Sequence, residues 1–184
     1  MSIGGTNPKA GRAGTGGGGR KLASGVNSGP AGVHHKRNGK HNGNGDVVYR
    51  TTIPSDNAAS RDVQQHILAA VHKSGFTPHS VFAIKLALEE AMINAIKHGN
   101  KLDPSKSVHI EAKITPKVAE ITIEDEGPGF DRSCVPDPTL LENLEKCSGR
   151  GILLIESYMN SVKWSRDGRR LRMVKRNGEE PGVR

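Results

Sequence analysis

The stretch from Thr77 to Asn100 constrains the fold more than any other part of the chain. Thr77 followed by Pro78 is a helix start, because the hydroxyl can accept from an orphan amide and proline is pre-set for the first helical position. Gly99 is the matching stop. Between them Val81, Ile84, Leu88, Ala91 and Ala95, with Met92 and Ile96 beside them, recur at steps of three and four, the period of a helix packed on a core. Glu90, Asn94 and His98 are four apart and so share one side of that helix, next to the apolar face rather than opposite it. A carboxylate and a carboxamide in that position serve solubility in an ordinary helix; what else they do depends on what the rest of the chain brings to them.

Two segments downstream alternate cleanly. Val108, Ile110, Ala112 and Ile114 fall on one face of a strand from Ser107 to Thr115, and Ala119, Ile121 and Ile123 on one face of another from Val118 to Asp125, with Thr115-Pro116-Lys117 as the tight turn between them. Upstream, Val47 to Pro54 reads as a strand, and Val63, Ile67 and Val71 mark a helix from about Asp56 to Lys73, closed by Gly75. Downstream, Gly149 to Met159 is an apolar helix, and Ser161 to Ser165 pairs with Arg170 to Lys175 across Arg166-Asp167-Gly168. Phe130 to Cys147 is long and irregular for a simple connection and reads as a mobile lid. The order strand, helix, helix, strand, strand, helix, strand, strand predicts an α/β (α+β) two-layer sandwich, a mixed but largely antiparallel sheet with its helices on one face.

Of the 184 residues, 34% are hydrophobic and the net charge is +8. Both numbers reflect the N-terminus. No acidic residue precedes Asp46, whereas Lys9, Arg12, Arg20, Lys21, Lys36, Arg37 and Lys40 all do. Residues 1–45 are glycine-rich, have almost no large apolar side chains and are expected to be a disordered basic tail, a segment with weak nucleic-acid contact as its one suggested role. Gly14 to Lys21 superficially resembles a phosphate loop, but Arg20 stands where lysine should follow Gly19 and no strand precedes it. His34, His35 and His41 lack the held geometry a metal needs. Residues 46–178 make the one domain and 179–184 a short flexible end. No run approaches membrane-spanning length and the N-terminus has no apolar signal region, so neither membrane insertion nor secretion is expected. Cys134 and Cys147 fit neither a zinc pattern nor a disulfide framework, and a reducing cytoplasm follows as the expected location.

Three segments carry the chemistry. Asp125, at the end of a buried strand and followed by Glu126-Gly127-Pro128-Gly129, can accept from an adenine exocyclic amine, or can simply form the turn. Gly127 and Gly129 let the main chain pass close to a ligand. Asn94 can give magnesium one amide oxygen, a reasonable protein share for that ion, or cap a nearby loop. Glu90, one turn away, is placed to take a proton from a hydroxyl or water, while Glu89 is a surface or loop-binding carboxylate. Gly149 and Gly151 open a helix whose free amides suit an anion, and Arg150 between them reaches either a terminal phosphate or water. Lys97 and His98 either support this site or complement the helix C-terminus.

In this order the segments Glu90 to Gly99, Asp125 to Gly129 and Ser148 to Gly151 resemble the N box, G1 box and G2 box of the GHKL (Bergerat-fold) ATPases. Glu-Ala-Met-Ile-Asn-Ala-Ile-Lys-His-Gly is similar, more narrowly, to the anti-sigma factor serine/threonine kinase branch. The resemblance covers Asp46 to Arg176. It implies the Bergerat ATP-binding fold, ATP and Mg2+ as cofactors, Glu90 as general base, Asn94 as magnesium ligand and Asp125 as adenine reader. It also implies an anti-sigma factor antagonist as protein substrate, a sigma factor as partner, regulation of transcription and a homodimer as the common working form. The alternative is a nucleotide-gated partner-binding module without phosphotransfer. One departure is visible: family members often carry threonine just after the glycine of the last hairpin, where this chain has Arg169, so base recognition is expected to rest more heavily on Asp125.

Overall fold

The computed structural model describes residues 40–42, 46–129 and 150–182. The rest of the expected tail, the expected lid with Cys134 and Cys147, Gly149 and the last two residues lie outside the described residues.

Register explains the sheet. Strands β1 (Lys40–Asn42), β2 (Asp46–Pro54), β3 (Ser107–Ile114), β4 (Val118–Asp125), β5 (Ser161–Ser165) and β6 (Arg170–Arg176) lie in the order β1-β2-β3-β4-β6-β5. The alternation in β3 and β4 comes into phase across neighbours: Ile110 pairs with Ile123 and Ile123 with Leu171, while Ala112 pairs with Ile121 and Ile121 with Met173. Each such row is buried and faces the helices. A slip of one residue in any strand would turn its whole apolar set to water.

Every neighbouring pair among the described strands is antiparallel, the limiting case of the largely antiparallel sheet expected. The physical reason is an even number of helical passes. Helices α1 (Asn57–Lys73) and α2 (Pro78–Ile93) carry the chain away from Pro54 and back, so that Pro54 and Ser107 end up paired. Beyond β4 the described residues hold one helix, α3 (Arg150–Tyr158); β4 and β5 both pair antiparallel with β6, which lies between them, and so run parallel to each other. Strand β1 falls inside the stretch expected to be structureless, and pairs Lys40 with Val48 and Asn42 with Asp46.

The helices start where side chains cap them. Asp56 accepts from Ala59 N–H at 3.1 Å, and Thr77 Oγ1 from Ser80 N–H at 3.2 Å with Pro78 next to it. The predicted core residues Val63, Ile67 and Val71 of α1 and Val81, Ile84, Leu88, Ala91 and Met92 of α2 are buried on the sheet. Burying each of the larger ones stabilises the fold by about 1.5–3 kcal/mol. The open face of the sheet carries charge pairs, among them Arg172 with Glu120 and Arg50 with Glu111.

The end expected to be loose after residue 178 is in part tied down. Lys175, fully buried on the helix-facing side of β6, donates to Glu179 O at 2.9 Å, and Asn160 Nδ2 donates to Glu180 O at 3.1 Å. Asn177 ties the same turn to the start of α2, accepting from Thr77 N–H at 2.9 Å and donating to Gly75 O and Pro116 O.

Candidate functional site

The expected helix from Thr77 to Gly99 is α-helical only as far as Ile93; Asn94–Gly99 form a π-helical turn. The α-helical bond from Asn94 N–H to Glu90 O is intact, so Glu90 and Asn94 keep the shared side that their spacing predicts. Beyond it the turn widens, closing with Asn100 N–H to Ala95 O at 2.8 Å. His98 is exposed where Asn94 is half-buried, because the wider turn takes it out of α-helical register. Lys97 is exposed too, and neither residue has a side-chain hydrogen bond among the described residues. The π-helical turn delivers Gly99 and Asn100 to the end of the sheet.

There Gly99 meets Asp125. Strand β4 points Asp125 inward, in the row of Ile53 and Val108, where it is 9% exposed. Its Oδ1 accepts from Gly127 N–H at 2.8 Å, and its main-chain N–H donates to Arg169 O at 3.1 Å. Burial pushes its carboxyl above the usual carboxylate range, against the Gly127 amide and the Arg169 guanidinium, which favour the ionised form. A carboxylate offers about four acceptor positions, so capacity remains for a ligand's N–H. No side chain fits at Gly99 or Gly127: a Cβ on Gly99 would lie 2.6 Å from Asp125 Oδ2, and one on Gly127 would overlap Gly99 O. Gly129, at φ +83°, packs in turn on Asp167 O of the β5–β6 turn.

The second cluster forms where α3 begins. Gly151, in its first turn, is packed against Glu90 and Asn94: a Cβ there would stand 2.5 Å from Glu90 Oε2 and 3.8 Å from Asn94 Nδ2. Two segments far apart in sequence thus meet, with Arg150 exposed beside them. Asn94 Nδ2 is buried and has no hydrogen-bond partner among the described residues. Such an orphan is expected at a polar group that awaits a ligand.

The residues fit a magnesium nucleotide. The carboxamide oxygen of Asn94 is a ligand of the kind that shares magnesium with phosphate oxygens, and a helix N-terminus such as that of α3 suits an anion. At the other end of the π-helical turn, the missing side chains of Gly99 and Gly127 let the π-helical turn, Asp125 and the loop after β4 pack directly on one another.

The chain matches the histidine kinase-like ATPase domain over residues 53–175. It belongs to that family. Within the family its likeness is to anti-sigma factors. It is 41% identical over 83 residues to the anti-sigma F factor of Clostridium perfringens (strain SM101 / Type A), covering 44% of this chain and 59% of that protein. With the anti-sigma F factor of Oceanobacillus iheyensis it shares 40% over 83 residues, 44% of this chain and 56% of the relative. With that of Shouchella clausii it shares 34% over 90 residues, 47% and 61%. The chain therefore spans between about half and three fifths of the length of these relatives. No helix among the described residues is long and apolar enough to cross a membrane.

Asn100 went unread in the sequence, where it opens a polar link. It is fully buried, and its three side-chain hydrogen bonds join the ends of β2, β3 and β4. Only its place directly after the Gly99 stop hinted at this.

Proposed function

We propose that this chain is a cytoplasmic, ATP-binding anti-sigma factor with serine/threonine protein kinase activity. It phosphorylates an anti-sigma factor antagonist and thereby regulates transcription that depends on its sigma factor. The observation that supports this reading is the meeting of Gly151 with Glu90 and Asn94, which brings a carboxylate, a carboxamide and the start of a helix together. The relatives' name, anti-sigma F factor, supports the choice of partners.

Asp125 accepts from the 6-amino group of adenine, a charge-assisted bond of roughly 1.5–3 kcal/mol. Asn94 would hold magnesium through its amide oxygen, and the first turn of α3 would bind phosphate oxygens with its amides. Magnesium held there would neutralise charge on the phosphates. Glu90 takes the proton of the attacking serine or threonine hydroxyl as its oxygen bonds to the γ-phosphorus and ADP leaves.

The test is transfer of labelled γ-phosphate from Mg·ATP to a candidate antagonist by the full chain and its Glu90→Ala variant. Phosphate transfer by the full chain, lost in Glu90→Ala with ATP binding retained, is the expected result. Normal nucleotide binding with no transfer to any partner would leave a nucleotide-gated binding module, in which occupancy shifts partner affinity by population shift alone.

A further inference from the structure

The base end of the proposed site is held by a closed ring of three residues. Asn100 Nδ2 donates to Ser107 O at 2.8 Å, Ser107 N–H donates to Glu126 Oε2 at 2.8 Å, and Glu126 N–H donates to Asn100 Oδ1 at 2.8 Å. Asn100 Nδ2 also donates to Ser55 Oγ at 2.7 Å, and that hydroxyl passes its own proton on to Lys106 O at 3.0 Å. Ser55 is itself buried.

The ring sits beside the contact that matters. Asn100 directly follows Gly99, and Glu126 directly follows Asp125, so the Asn100–Glu126 bond lies one residue from the Gly99–Asp125 contact on both strands of chain. Glu126 also precedes Gly127, whose N–H holds Asp125 Oδ1. A rotation of the peptide at Glu126 would therefore move the carboxylate and the amide that orients it together. The backbone supports the same reading: Lys101 and Leu102, immediately after Asn100, both adopt φ +58°, and such residues persist only where surrounding contacts over-determine them.

We propose that Asn100 is the positioning residue for base recognition: through Glu126 N–H it holds the Asp125 carboxylate on Gly99 in the orientation that accepts from the base. This rests on the nucleotide site proposed above and adds to it the residue that sets selectivity. Asn100 touches no ligand. It acts through Asp125, and its removal changes which base is preferred rather than only how stable the domain is.

The experiment compares ATP with purine riboside triphosphate, which lacks the 6-amino group, by calorimetric titration into the full chain. The wild type is expected to bind ATP at least tenfold more tightly. Asn100→Ala should bring the two affinities within about twofold of each other. Ser55→Ala, which removes one partner of Asn100 and leaves Glu126 N–H bonded, should lower the melting temperature and keep the tenfold preference. Should Asn100→Ala not fold, Asn100→Ser takes its place, keeping a polar group but falling short of Glu126 N–H. A preference unchanged in the Asn100 variant overturns the proposal, as does its loss in Ser55→Ala. Asp125→Ala separates the two readings. If it binds ATP like the wild type, the nucleotide site is misplaced and the inference falls with it; if it loses ATP while the Asn100 variant still discriminates, the inference alone fails.

Discussion

The carboxylate of Asp125 rests on the bare Cα of Gly99, with no room between them for a methyl group. A Cβ on Gly99 would stand 2.5 and 2.6 Å from the two carboxylate oxygens, closer than side-chain atoms approach one another. Gly99→Ala must therefore displace Asp125. The expected outcome is a loss of ATP affinity of more than tenfold with a stability cost of about 1–3 kcal/mol from overpacking, read by calorimetric titration and thermal unfolding.

Asp125 also has a pH signature. Burial raises its pKa above the ordinary 3.8, so the folded state holds its proton more firmly than the unfolded state. At low pH the group is neutral in both states. As pH rises past 3.8 and through the raised folded value, the unfolded state gains from ionising first and stability falls. Asp125→Asn keeps an oxygen for Gly127 N–H and carries no charge. It is expected to be more stable than the wild type at pH 7 by about 1 kcal/mol, with the gap closing toward pH 4, and to lose ATP binding. Melting temperatures of both proteins across that range check this.

At the other cluster, Gly151→Ala sets a methyl group against Glu90 Oε2. A proton acceptor misplaced by about 1 Å costs on the order of a hundredfold in rate. Single-turnover phosphate transfer should fall by roughly that factor, with a smaller change in ATP affinity. Glu90→Gln should lose transfer at least as fully and keep nucleotide binding.

Lys175 is a charge buried at the far end of β6 from Arg170. Desolvation lowers its pKa below the ordinary 10.5, against the pull of Glu180 and Glu179. The unfolded state binds the proton more tightly, so this residue's contribution to stability rises with pH through the lowered value and up to 10.5. Lys175→Met is expected to stabilise the domain by about 1 kcal/mol at pH 7, an advantage that shrinks toward pH 10. Removing residues from Glu179 onward should do the opposite, because the ammonium loses the Glu179 carbonyl; chemical denaturation measures both.

What could be read from the sequence was whatever local periodicity encodes. The face of α2 from Val81 to Met92, the alternation in β3 and β4 and the turn at Pro116 depend on near neighbours, and all form as the spacing requires. The π-helical turn does not, because nothing in Asn-Ala-Ile-Lys-His-Gly departs from helical composition and the widening is set by where Gly99 and Asn100 must dock. Asn100 went unread for the same reason, because Ser55 and Glu126, which bury it, are distant in sequence. Asp125 was legible because its motif is local, although the carbonyl of Arg169 that holds its main chain was not.

The seam where Gly129 packs on Asp167 O joins the loop after β4 to the turn between the last two strands, so the proposed pocket exists only once the chain has folded to its final hairpin. A ligand there binds the folded state and no partly folded one, and at a hundred times its dissociation constant it adds about 2.7 kcal/mol to global stability. Under the proposed function, the persistence of the protein against unfolding and proteolysis would follow the supply of nucleotide. A starved cell would lose the regulator along with its phosphate donor.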